Sequence, residues 1–268
     1  MKRKLDLLFE FLKLSIKQST IYRGTWLLGV IGQFLNYGAT ILSLYIVILS
    51  LGNIKGWTAD EMIFIYALSL LAYALAASVF YGPCMMLGTK VLNGDFDQTL
   101  TKPMNALAYE ILLHFNVGYI SHVILGIVLV VISMKKMSLE ISFITVINII
   151  VIVICGVLIQ AALLLFASMF SFIMVNGNPA LKFLVSKARN FIQYPLNIYP
   201  KSIQLILTFV LPYGFINFYP VVNLLHKEEL ALGGSLLGTL FPLIAIMLFV
   251  ISIFAWNKSL KVYSSAGA

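Results

Sequence analysis

Six stretches of this chain are apolar for roughly 20 residues or more, which is the helix length needed to cross a bilayer's hydrocarbon core. They run from about Trp26 to Leu51, Met62 to Tyr81, Ala106 to Met134, Ile141 to Val175, Ile203 to about Leu225, and Ser235 to Trp256. A soluble domain keeps about a quarter of its residues charged to hydrate its surface. Here only 10% of 268 residues are charged and mean hydropathy is +0.99. Most of the surface must therefore face lipid. The expected fold is an all-α polytopic membrane protein with six transmembrane helices, residues 26–268, preceded by a separate element over residues 1–25.

That first element places Leu5, Leu8, Phe9, Leu12 and Ile16 at helical spacing, with Lys13 and Lys17 between them. It reads as an amphipathic helix in the membrane interface, or as one packed on its own bundle. Asp6, Glu10, Lys13 and Lys17 interrupt any signal-peptide core. Cys84 and Cys155 lie in or beside apolar runs and read as small hydrophobes, not as a disulfide framework.

The net charge of +8 does not point to nucleic acid, because no long solvated stretch carries a basic patch. The cations instead flank spans. With the N-terminus cytoplasmic, Lys55, Lys135, Lys136 and Lys227 fall outside, and every other Lys and Arg of the 18 falls inside. Both termini are then cytoplasmic. So are the two longest connections, 83–105 and Asn176 to Ser202.

In the first connection Met85, Met86, Leu87, Val91 and Leu92 recur in a helix-like way before the Asn93-Gly94 turn. A short amphipathic helix at the cytoplasmic face is expected, able to dock a partner through its apolar ridge; a plain interfacial loop helix is the alternative. Gly88-Thr89-Lys90 does not match a phosphate-binding loop, and that pattern occurs nowhere in the chain. The second connection begins at the helix stop Asn176-Gly177-Asn178-Pro179 and continues through basic and aromatic residues suited to anionic headgroups.

Pro212, Gly214 and Pro220 break the fifth stretch. Freed backbone groups in a membrane must face protein or a water-lined cavity. Leu211 to Asn223 is thus expected to face the interior or to re-enter from outside, with Pro212, Gly214, Asn217 and Pro220 as candidate pathway residues. Glu110 and His114, four apart on one face, read as structural or interfacial. There is no metal-ligand cluster, nucleophile–base pair or dinucleotide fingerprint.

Four segments carry a resemblance. After the second stretch come Gly94, Phe96-Asp97, Leu100, Lys102-Pro103 and Asn105. Pro195 to Pro200 and Pro212 to Pro220 form two further proline-bracketed segments. Trp256, Ser259, Leu260, Tyr263, Ser265 and Gly267 close the last stretch. In this order they resemble a permease of the ABC type-2 exporter superfamily, of its bacterial six-span group, over nearly the whole chain. The resemblance implies a coupling segment at Met86, Leu87, Val91, Leu92, Asp95, Asp97, Lys102 and Pro103, seated against a separate ATPase. It further implies two ATPase copies that bind ATP and Mg, a second permease chain, and a bacterial inner-membrane location among lipids. The chain would then be no enzyme and hold no cofactor of its own, moving a hydrophobic or amphipathic cargo such as a drug, peptide or lipid. The alternative is a non-transporting membrane sensor or assembly partner.

Overall fold

The computed structural model describes residues 13, 17, 23–51, 53–173 and 187–264. The amphipathic helix expected over residues 1–25, the Asn176–Pro179 helix stop and Ser265 to Gly267 fall almost wholly outside these. The described chain is a helical bundle. Its helices are α1 (Arg23–Leu51), α2 (Ala59–Asn93), α3 (Phe96–Leu100), α4 (Ala106–Leu113), α5 (Ile120–Lys136), α6 (Phe143–Ile173), α7 (Lys201–Leu205), α8 (Phe218–Leu224) and α9 (Ser235–Ser259).

Among the described residues four helical stretches are long and apolar enough to cross a membrane: Ala59–Asn93, Val117–Lys136, Phe143–Ile173 and Ser235–Val262. The bent pair Lys201–Val210 and Tyr213–Leu224 would make a fifth if it were one span. The expectation of six long transmembrane helices is corrected accordingly. In α1 the apolar part is the shorter stretch Leu27–Ser43, and the fifth stretch is broken.

Helix α2 is the central post, packed against α5 and α6, with α6 packed in turn against α9. Thr58 caps it through a reciprocal box: Thr58 Oγ1 accepts from the Glu61 N–H, and Glu61 Oε2 accepts from the Thr58 N–H. Ala67, Ala72, Ala74, Ala76 and Ala77 are fully buried. Lipid tails are as apolar as leucine, so helices associate through close packing and hydrogen bonds, which small residues permit. Leu243, Ile246, Val250 and Phe254 on α9 and Ile124, Ile127 and Val131 on α5 are exposed, the pattern of a lipid-facing surface.

The sequence suggested a separate interfacial helix around Met85–Leu92. That segment is instead the last part of α2, which continues through Pro83 to Asn93 and stops at Gly94 (φ +76°). The proline costs one intrahelical bond. Just before it, the Ser78 carbonyl accepts a hydrogen bond from the Asn116 N–H (2.9 Å), so protein covers the loosened turn. The third stretch is also split: α4 ends at His114, and the span begins only at Val117. Glu110 therefore belongs to the end of the bundle, ahead of the crossing helix.

The largest departure concerns residues 187–225. Asn197 reaches the loop before α2: Trp57 Nε1 donates to Asn197 Oδ1 (2.9 Å), Asn197 Nδ2 donates to the Lys55 carbonyl, and Lys55 Nζ donates to the carbonyls of Asn197 and Ile198. Residues on the far side of the bent pair reach the same loop. Lys227 Nζ lies 2.7 Å from both the Gly56 carbonyl and Glu61 Oε2. Both feet of the bent pair thus stand at one end of the bundle, the Trp57 end. Its arms meet at a 79° bend beside Pro212, and they form a re-entrant hairpin, not a crossing. Ile173 lies at the other end, the Lys90 end, since Phe172 packs on Phe96 and Trp256. Between these two ends the described residues form short 3-10 turns, Ala188–Gln193 and Leu196–Ile198. Non-helical backbone is tolerated at membrane depth when protein surrounds it; Ala188, Ile192 and Leu196 are buried. Of the connection read as Asn176 to Ser202, residues 176–186 lie outside the described residues, but its end at Asn197 to Ser202 stands at the Trp57 end, and Ile203 to Leu225, read as a span, turns back to that end. Lys201 accordingly joins Lys55, Lys135, Lys136 and Lys227 at the Trp57 end.

Candidate coupling surface and interior cavities

At the Lys90 end, the turn from α2 to α4 is locked to the bundle. Phe96 is fully buried among Phe172, Tyr263 and the neighbouring Trp256, with ring centroids 5.3 and 5.2 Å from Phe172 and Tyr263. Asp97 accepts a hydrogen bond from the Tyr263 hydroxyl (3.0 Å). Asn105 caps α4 by accepting from the Ala108 N–H.

Beneath the turn lies a buried ionic knot. Lys90 Nζ donates to both carboxylate oxygens of Glu110, at 2.9 and 2.8 Å. Thr99 donates to Oε1, and His114 Nε2 stands 3.4 Å from Oε2. Burial pushes the Glu110 carboxyl up, but His114, Lys90 and Thr99 more than offset this and hold it at about 2. The pair joins the end of α2 to α4, so the whole turn moves as one piece.

The sequence-derived coupling residues divide on this frame. Met86, Leu92, Asp95, Lys102 and Pro103 are exposed, Val91 and Asp97 are half-buried, and Leu87 is buried in the core. Leu100 and Met104, two residues the sequence reading missed, are exposed as Met86 and Leu92 are. Their signal was available: each is apolar within an otherwise polar turn. Lys102 lies 5.8 Å over the Tyr109 ring.

The re-entrant residues come together in the interior. Gly214, Asn217 and Pro220 are buried. Asn217 Nδ2 donates to the carbonyls of Ile65 and Ile192, tying the hairpin to α2 and to the 3-10 turn Ala188–Gln193. The tip approaches α6 at Gly156, where a Cβ would lie 2.8 Å from Ala72 Cβ and 3.2 Å from the Ile216 carbonyl. Pro212 borders a mainly apolar cavity of about 400 Å³ between the tip, α6 and α9. Pro220 borders a second, of about 520 Å³, near Asn148, Asn223 and His226. Among the described residues no group of three or more His, Cys, Asp and Glu side chains could hold a metal.

Residues 34–267 match the family model described as ABC-2 family transporter protein. No curated protein and no solved structure matches the chain. With most of its length covered by that model, this all-α membrane bundle belongs to the ABC-2 transporter family.

Proposed function

We propose that the chain is the permease subunit of an ATP-driven exporter that moves a hydrophobic or amphipathic cargo out of the cytoplasm. The carrying observation is four exposed apolar residues, Met86 and Leu92 on the last turns of α2 and Leu100 and Met104 in the turn that follows, where the Lys90–Glu110 pair ties α2 to α4. A chain without a phosphate-binding loop takes its energy across an interface. Exposed apolar side chains on an immobile mount are suited to such an interface, because contact supplies affinity and the mount passes motion on instead of absorbing it.

In this reading the Lys90 end is cytoplasmic, as are both termini, in a bacterial inner membrane. The path has six crossings: α1, α2, α5, α6, one between Ile173 and Asn197, and α9. Two permease chains, identical or related, form the passage, and two ATPase copies drive it with ATP and Mg. The Pro212–Pro220 hairpin closes the passage from the far side.

The test is capture of the cognate ABC ATPase by the purified chain and stimulation of its hydrolysis. Failure of the wild-type chain to bind an ATPase overturns the exporter reading. Met86→Asp with Leu100→Asp, both at exposed positions, is expected to reduce capture at least tenfold while the melting temperature is kept. Normal capture by that variant overturns the assignment of the surface. Leu87→Asp is the contrasting variant: its side chain is buried, so it should lower the melting temperature itself.

A further inference from the structure

Arg189 lies on the 3-10 turn Ala188–Gln193, and its guanidinium carbon sits 3.6 Å from the centroid of the Tyr73 ring. Tyr73 is roughly 21 Å along α2 from Ala59 at 1.5 Å per residue, so this cation is deep in the bundle. Tyr37 and Tyr66 are its further neighbours. Its charge is felt by Tyr213 and His122. Its Nη1 is buried without a hydrogen-bond partner.

No carboxylate answers this charge among the described residues. Each ion pair there lies at an end of the bundle: Lys90–Glu110 at one, and Lys136–Asp60, Lys227–Glu61 and His226–Glu228 at the other. A guanidinium stays protonated in proteins. Removing it from water is costly, and a cation–π contact offsets only part of that cost. The surroundings of Arg189 therefore keep a positive field with an unused donor. Gln160 of α6 approaches the same Tyr213 side chain that Arg189 does.

A cavity of about 230 Å³ lies between Gln33 of α1 and the Asn116, Ser121 and His122 stretch. A chain of packed rings links its lining to Tyr73, which carries Arg189: Tyr119–His122 centroids are 5.2 Å apart, Tyr37–His122 5.0 Å and Tyr73–Tyr119 5.9 Å. On its outer side, Leu27, Leu28, Ile31 and Leu35 of α1 are exposed, a surface for an alkyl chain.

We propose that Arg189 and its tyrosine ring bind the anionic head of an amphiphile, a phosphate, sulfate or carboxylate carried on an apolar tail. Arg189 supplies the charge and a forked pair of donors. Gln160 and the tyrosine hydroxyls complete the oxyanion's partners, and the tail leaves past His122 along α1. This narrows the cargo of the exporter reading to anionic amphiphiles and rests on that reading for transport, though not for binding.

The experiment is calorimetric titration of the full chain in neutral phosphatidylcholine nanodiscs with dodecyl phosphate, dodecyltrimethylammonium or inorganic phosphate. Dodecyl phosphate is expected to bind at least tenfold tighter than either of the others, and Arg189→Gln to lose at least tenfold. If that variant does not fold, Arg189→Lys keeps the charge and loses the fork, and a several-fold loss is expected. Unchanged dodecyl phosphate affinity in a folded variant overturns the site. Equal binding of the cationic detergent overturns the charge selection, and equal binding of inorganic phosphate overturns the amphiphile. Loss of ATPase capture with Arg189-dependent binding intact removes the exporter and leaves the site; intact capture with Arg189-independent binding does the reverse.

Discussion

Lys90 holds both carboxylate oxygens of Glu110 from 20 residues away in sequence, with the Glu110 side chain almost wholly buried. Removing one partner strands the other charge. Breaking a buried pair in this way costs about 3–5 kcal/mol, whereas replacing both partners by apolar groups is often neutral. Lys90→Met and Glu110→Leu should each lower the melting temperature in detergent, and the double variant should recover most of the loss. Additive losses in that double-mutant cycle would show that the two side chains act independently.

The same carboxyl makes the Lys90 end acid-sensitive. Its folded pKa of about 2 lies below the unfolded value of about 4.3. A depressed folded pKa stabilises fully above the unfolded value, and this contribution is lost as pH falls from about 4.3 towards 2. Stability of the wild type should therefore drop through that window more steeply than that of the Lys90→Met, Glu110→Leu double variant. Parallel melting curves from pH 5 to pH 2.5 would contradict it.

The re-entrant hairpin has a topological signature. Cys84 and Cys155 are buried, so single cysteines placed at exposed Asn53, Ser202 and Thr101 can be read with a membrane-impermeant maleimide. Asn53 and Ser202 should label from one side, and Thr101 from the other. Labelling of Ser202 together with Thr101 would restore Ile203 to Leu225 as a crossing.

Gly156 sets how deep the hairpin sits. Alanine there places a methyl 2.8 Å from Ala72 Cβ and 3.2 Å from the Ile216 carbonyl, an overpacking that costs about 1–3 kcal/mol. Gly156→Ala should lower the melting temperature, while Gly29→Ala, with open space around its Cβ, should not. A neutral Gly156→Ala would mean that the tip shifts freely.

Apolar length made the membrane bundle legible, and the Gly94–Asn105 pattern made the family legible. Length misled where polarity and crossing part company. Arg189 and Pro195 give residues 187–197 the composition of a loop, yet Ala188, Ile192 and Leu196 are buried and Asn217 donates to the Ile192 carbonyl. Ile203 to Leu225 has the composition of a span, but its feet are fixed by Asn197 and Lys227, contacts across at least 140 residues that no local window contains. Met86 and Leu87 look alike in sequence; only the aromatic packing around Phe96 separates the buried one from the exposed one. The Arg189 chamber draws its tyrosines from α1, α2 and the segments around Tyr119 and Tyr213, so nothing in a linear reading gathers it.

Helix α2 runs unbroken from the loop gripped by Asn197 and Lys227 to the exposed turn beyond Lys90. At 1.5 Å per residue it is a rod about 50 Å long. Tilting such a rod by about 5° around its midpoint swings each tip about 2 Å, in opposite directions. A small push on Met86 and Leu92 would thus arrive at Trp57 reversed in sense, and Trp57 is where both feet of the hairpin are held. The two faces of the membrane would be geared together by one lever, so that whatever draws the Lys90 end inward forces the far gate the other way.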